Sequence, residues 1–433
     1  GGELVNNGDG TYVYTFLTDV TAVDGVTYDA NLTHRVAMQF SGPAVNPHYD
    51  FVPATGATTG IETRDIVTVE NCNSCHDPLA LHGGGRIETE YCVTCHNPGT
   101  SDPDTGNTVD FKVMVHKIHR GANLPSVQDG GTYQIIGYRS SVHDYSNVHY
   151  PQDIRNCTKC HAGTGTDPGD GSVVLTVDGD NWNEVPSRAA CGSCHDDVDF
   201  TLHMGGQDDD SACLSCHSAG GFVGSIASSH DTPVLDAIPA YEINVIAVTN
   251  TAPGQFPVVT FSVTNPLNGD AAYDIVNDLD RLRMGVAWDT DDYNNVGNGG
   301  DNARYQVTDA IANAVSNGDG TYTVTSQVQI PDGTTAPFIA ASGSGAIIFE
   351  GRGLVDVNDD PAVTELDEVP LTFGIGYFSI DEADGEADPR RQVVSIDKCN
   401  ACHFIKTQHG GNRANDNQGC IGCHNTRLTA KPV

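Results

Sequence analysis

The chain has 433 residues, a formal charge of −36 from 57 acidic and 21 basic side chains, and 14 cysteines. Hydrophobic residues make up 38%, enough for packed cores and against wholesale disorder, while so acidic a surface makes nucleic-acid backbones and anionic lipid surfaces poor partners. No stretch approaches the ~20 consecutive apolar residues of a membrane span, no charged-then-apolar leader opens the chain, and at roughly 100–200 residues per domain the length predicts two to four domains.

Residues 1–68 are predicted as a β domain. Asn7-Gly8-Asp9-Gly10-Thr11-Tyr12 places Asn/Asp-Gly turn residues before a β-rich run, a hairpin signal, and His34 falls in an alternating, strand-like run. Residues 69–233 then carry five C-x-x-C-H motifs: Cys72-Cys75-His76, Cys92-Cys95-His96, Cys157-Cys160-His161, Cys191-Cys194-His195 and Cys213-Cys216-His217. Residues 234–395 return to alternating apolar runs such as Val258-Val259-Thr260-Phe261-Ser262-Val263, separated by Gly, Asn and Asp turns. This predicts an antiparallel sandwich or barrel. Residues 396–433 carry two more motifs, Cys399-Cys402-His403 and Cys420-Cys423-His424. The fold class expected is therefore multidomain, with antiparallel β domains alternating with loop-rich, short-helix segments.

The seven motifs consume every cysteine. C-x-x-C-H is the c-type haem attachment pattern: two thiols add across the porphyrin vinyl groups and the histidine that follows ligates iron from below. Zinc sites also use C-x-x-C, but they combine pairs into sets of four ligands and have no need of a histidine after every second cysteine. A thioredoxin-like pair would occur once, beside a βαβ pattern. The reading is seven covalent haems c, with His76, His96, His161, His195, His217, His403 and His424 as proximal ligands. Such attachment takes place outside the cytoplasm and predicts an exported protein.

Ten histidines remain. His34, His48 and His143 lie in strand-like, turn and polar-loop settings and read as structural. The other seven, His82, His116, His119, His149, His203, His230 and His409, lie in or beside the haem segments and match the number needed for bis-histidine ligation throughout. Asp110–Arg120 reads as a helix with Phe111, Met114, Val115 and Ile118 on one stripe and Gly121 as its stop. His116 and His119 then sit on one flank of it and could serve two neighbouring haems. His82 follows His76 by six residues and is expected to ligate a different haem. Of the methionines Met38, Met114, Met204 and Met284, Met114 belongs to the apolar stripe and Met204 adjoins His203, so an all-imidazole, low-potential set is expected.

Self-similarity organises the whole. The Asn7–Tyr12 turn recurs as Asn317–Tyr322. Arg64-Asp65-Ile66-Val67 leads to Cys72-Cys75-His76, His82-Gly83-Gly84 and Arg86, as Arg391-Gln392-Val393-Val394 leads to Cys399-Cys402-His403, His409-Gly410-Gly411 and Arg413. Cys95-His96-Asn97 is matched by Cys423-His424-Asn425. With few apolar stretches in the haem segments, the porphyrins are expected to serve as core there. Trp288-Asp289-Thr290-Asp291-Asp292 offers oxygen ligands suited to Ca²⁺, with Asp289, Asp291 and Asp292 as candidates beside the commoner reading of a solvated loop. Asp356, Asn358, Asp359 and Asp360 form a weaker cluster.

The blocks from Asp65 to Arg86, Tyr91 to Pro98, His116 to Gly121, His149 to Asp153 and Ala190 to His195 resemble the extracellular decahaem cytochromes of metal-reducing bacteria, the OmcA/MtrC type. That resemblance implies alternating β-barrel-like and pentahaem domains and an outer-surface location. It also implies electron transfer to mineral oxides, soluble metal ions, flavins or other multihaem cytochromes. The paired cysteines that some members carry in a β domain for flavin control are absent. The reading is an electron conduit with no catalytic residue of its own. The alternatives are a filament (nanowire) subunit stacking haems with identical subunits, and a multihaem oxidoreductase with one open haem. The seven intact motifs and the charge, which would repel anionic substrates, count against the last.

Overall fold

In the computed structural model, residues 1–425 are described except 205, 207, 296–306, 335–338 and 358–364. They form two compact units, Gly1–Tyr150 with Cys157–Ser229, and Pro151–Asn156 with His230–Val433. The first predicted β segment thus groups with the five-motif segment, and the second with the two-motif segment.

The first unit opens with a hairpin, β1 (Gly2–Asn6) against β2 (Tyr12–Phe16), and a second, β3 (His34–Ala37) against β4 (His48–Phe51). The predicted turn is built from side chains: Asn7 N–H reaches Thr11 C=O at 3.1 Å, and Asp9 Oδ1 accepts from both the Thr11 amide and hydroxyl. His34 bonds the Asp29 carbonyl at 3.0 Å and packs on Tyr28, so it serves the hairpin. A third hairpin, β5 (Gln134–Ile136) with β6 (Val142–Asp144), carries His143, whose Nε2 meets Ser141 Oγ at 3.1 Å. Otherwise this unit consists of short helices, of which Phe111–Arg120 is the longest. Its start at Asp110 and stop at Gly121 match the sequence pattern.

The second unit is an antiparallel sandwich. One sheet runs β11 (Val307–Asp309), β10 (Leu279–Trp288), β14 (Ser344–Val355), β15 (Asp367–Pro370), with β16 (Gly374–Ser379) also on β14. The other runs β12 (Val315–Ser316), β13 (Tyr322–Thr325), β8 (Val258–Asn265), β7 (Glu242–Thr249), with β9 (Ala271–Ala272) on β8. The period of two sorts the side chains. Val259, Phe261 and Val263 from β8 meet Leu282, Met284 and Val286 from β10 and Ile347 and Phe349 from β14 in one buried core, with the rings of Phe261 and Phe349 4.6 Å apart. Ala346 and Ile348, on the other face of β14, join Phe373 and Tyr293 in a second cluster that includes Cys420, Ile421 and Cys423. The last motif is thereby docked on the outside of the sheet. Gly419 permits this approach, because a Cβ there would stand 2.4 Å from the Phe373 ring. A small β17/β18 ladder (Thr407–Gln408, Arg413–Ala414) completes the unit.

Candidate haem-binding sites

Each motif forms a single helical turn. The helices are Val69–Asn73, Thr89–Cys92, Arg188–Cys194, Cys213–Cys216, Asp397–His403 and Asn417–Cys423, with a 3-10 turn at Cys157–Lys159. In six motifs the histidine N–H donates to the carbonyl of the first cysteine, four residues back, at 2.9–3.0 Å. Positions three and four apart share a helix face, so one turn presents both thiols and the imidazole together. No cysteine is engaged in a disulfide. Burial pushes up the Cys72 thiol to about 11 and the Cys423 thiol to about 12, which keeps both protonated.

Five motif histidines face a second imidazole. Ring centres are 6.1 Å apart for His76 and His119, 5.9 Å for His96 and His82, and 5.8 Å for His161 and His116. They are 6.1 Å apart for His217 and His203 and 6.2 Å for His424 and His409. A ligating imidazole nitrogen lies about 2.0 Å from its metal and about 1.1 Å from its own ring centre, so two rings on opposite faces of one ion stand about 6.2 Å apart. The pairs are thus spaced to hold an iron between them. The cavity at the second motif is bordered by His82, Cys92, Cys95 and His96 with Phe111 and Met114, the donor set and apolar wall that a covalently held haem requires. His82 is brought to His96 rather than to His76 of its own motif, and the Phe111–Arg120 helix delivers His116 and His119 to two different motifs.

Backbone carbonyls set the ring orientation. Nδ1–H of His116 donates to Lys112 C=O at 2.6 Å, of His119 to Val115 at 2.9 Å and of His96 to Val109 at 2.9 Å. His403 donates likewise to Pro151 at 2.9 Å. A proton fixed on Nδ1 leaves the Nε2 lone pair for a metal. Burial also lowers the pKa of His82, His116, His119 and His409, and that of His161 to about 4. These imidazoles are therefore neutral, as ligation demands. Lys117 anchors the helix, reaching Asp196 at 2.7 Å just beyond the fourth motif.

The two repeat copies share their loop cap and their backbone turn. Asn73 Oδ1 accepts from Leu79 N–H as Asn400 Oδ1 accepts from Lys406 N–H, at 2.6 and 2.9 Å. His82 and His409 both sit in the left-handed region, at φ 49° and 57°, with two positive-φ glycines after each. Residues other than glycine, Asn and Asp rarely adopt that conformation, so the loop holds each histidine under local strain. Sequence reading missed the partners of these elements. Pro151-Gln152 contacts the sixth motif, Gln152 Nε2 donating to Cys402 C=O at 3.1 Å, a link across 250 positions for which no local pattern exists. The ring geometry above places His76, His96, His161, His217 and His424. His195 and His403, with the candidates His149 and His230, are not placed by it.

The acidic loop makes contacts within the protein. Asp289 accepts from Asn294 Nδ2, Asp292 meets Arg390 at 3.4 Å, and the Asp291 carbonyl accepts from Arg391 at 2.6 Å. Among the described residues no three His, Cys, Asp or Glu side chains gather as a metal site, and Asp289 and Asp292 each have a side-chain partner in the protein. Asn358, Asp359 and Asp360 lie outside the described residues.

Residues 64–231 match the family model for domains II/IV of outer membrane cytochromes of the MtrC/MtrF kind, and residues 2–58 that for the OmcA-like N-terminal domain. The multihaem cytochrome MtrC of Shewanella baltica (strain OS185) is 31% identical over 231 residues, half of this chain and 29% of that protein. The crystal structure of the outer membrane decahaem cytochrome OmcA superposes with a TM-score of 0.74 at 27% identity, covering 98% of this chain and 63% of OmcA. That of MtrC from Shewanella baltica OS185 gives 0.68 at 22% identity, covering 98% and 69%. The chain thus spans less than a third of the curated relative's length and under two thirds of OmcA. Among the described residues no helix is long and apolar enough to cross a membrane. Residues 2–58 and 64–231 are thus similar to domains of the outer-surface multihaem c-type cytochromes of the OmcA/MtrC type, and the chain shares the fold of OmcA.

Proposed function

We propose that the chain is an electron conduit carrying seven bis-histidine haems c, which accepts electrons from another multihaem cytochrome and delivers them to metal oxides, soluble metal ions or flavins outside the cell. When bound, haem c supplies a reversible one-electron iron couple. The observation that carries the reading is the set of five imidazole pairs with centres 5.8–6.2 Å apart. Each pair would close both axial faces, leaving no exchangeable position for a substrate, which favours carrying electrons over catalysis. The fourteen cysteines hold the groups covalently, and His149 and His230 are the distal candidates left for the two sites without a ring pair. Because His116 and His119 are three residues apart on one rigid helix, two sites are held as neighbours, as electron hopping requires.

The test is a stoichiometric reductive titration followed by mixing with a soluble ferric complex or flavin mononucleotide. Seven electron equivalents taken up and then passed to either acceptor are expected. A lower uptake, or a reduced protein that neither acceptor reoxidises, would overturn the reading. The filament alternative predicts haem-to-haem stacking between copies, visible by electron microscopy as fibres rather than discrete particles.

A further inference from the structure

The two histidine–glycine–glycine loops each carry an arginine four residues after the distal histidine, and in each copy that arginine rests on a side chain from the β segment before it. Arg86 Nε donates to Gln39 Oε1 at 3.2 Å, and Arg86 borders the cavity of His82, Cys92, Cys95 and His96. Arg413 Nε instead donates to Glu350, in an ion pair. Glu350 lies on β14 and is 2% exposed.

We propose that Glu350 lowers the reduction potential of the haem held by Cys420, Cys423, His424 and His409, a negative charge that the otherwise matching Cys92–Cys95 site lacks because Gln39 stands in its place. The inference rests on the haem assignment above. Reduction of a ferric to a ferrous haem adds one electron and no proton, with both axial bonds kept, so a nearby cation favours it and a nearby anion opposes it. Arg86 keeps its charge against a neutral amide, whereas that of Arg413 is offset by a carboxylate buried where water screens it little. Glu350 and Arg413 both act electrostatically on His409 and Cys423. The other charges that act on these sites are Glu90 at Cys92, and Asp416 and Lys406, of opposite sign, at Cys420. None of them matches Glu350 for burial beside a haem-site arginine. The contrast is a charge difference between two sites whose loops, capping asparagines and imidazole spacing are alike.

A reciprocal exchange in the full-length holoprotein tests this. Glu350→Gln and Gln39→Glu are compared with the parent by mediated spectropotentiometric titration, using dithionite as reductant, with intact mass reporting the number of haems. With Glu350→Gln one component of the titration moves to higher potential. With Gln39→Glu one moves to lower potential, by less because Gln39 is at the surface. The remaining components stay in place. Should Glu350→Gln fail to accumulate, Gln39→Glu decides alone. Either variant with its full haem complement and no displaced component overturns the inference, whereas missing haems in the parent would count against the haem assignment itself.

Discussion

The two units differ most in what fills them. Between residues 1 and 229 the buried apolar side chains are Val69, Val113, Leu124, Tyr133 and Ala162, whereas the sandwich buries Phe261, Leu282, Met284, Trp288, Ile347, Phe349 and many more. The same contrast appears within a single repeated motif. Asn317 N–H bonds Thr321 C=O at 3.0 Å, as in the first copy, and Asp319 accepts from Thr321 as Asp9 does from Thr11. Yet Val324 of β13 is fully buried against β8, while Val13 and Phe16 of β2 are more than half exposed. A turn is encoded in six residues, but burial requires a partner surface. Where the chain supplies no apolar partner in the first unit, the proposed reading has the porphyrins of its five motifs supply one, gripped by short helices.

That contrast predicts unequal fates when haem is withheld. Protein produced without haem attachment should lose the fold of residues 64–229, while 242–380 keep theirs. Limited proteolysis with mass spectrometry would then show early cuts in the first region and a protected sandwich. Equal protection of both would break the comparison. The next effect in size is local. His116→Ala and His119→Ala should each open one haem, that of Cys157–Cys160 and of Cys72–Cys75 respectively, detected as one carbon-monoxide-binding haem per molecule. If His116→Ala opened none, the pairing with His161 would be wrong.

Smaller effects sharpen the account of the sandwich and the loops. Gly419→Ala places a methyl into the Phe373 ring and, as overpacking typically costs 1–3 kcal/mol, should destabilise the second unit by about that much in urea unfolding. Gly83→Ala imposes a side chain at φ 78°, for roughly 1–2 kcal/mol, and should loosen the His82 loop without disturbing Gly419's region. Hydrogen exchange resolved by peptide would separate the two.

Much of this was readable before any coordinates. The motifs mark the candidate attachment residues because a helical turn makes i, i+3 and i+4 neighbours, and the Phe111–Arg120 helix was visible from its stripe and its Gly121 stop. The β8 run was visible from its alternation. What the sequence did not reveal is long-range. The acceptors of Arg86 and Arg413, the Pro151 carbonyl under His403, and the choice of His96 for His82 depend on chain paths that no window of sequence contains. The acidic loop's contacts are long-range too, since Arg390 meets the Asp292 carboxylate and Arg391 the Asp291 carbonyl from about a hundred positions away.

The central claim, that imidazoles close both faces of every iron, is tested most directly by optical spectra of the reduced protein with and without carbon monoxide, beside low-temperature electron paramagnetic resonance of the oxidised form. The account predicts an unchanged reduced spectrum and low-spin signals alone. A carbon-monoxide-dependent spectral change or a high-spin signal in the parent protein would contradict it.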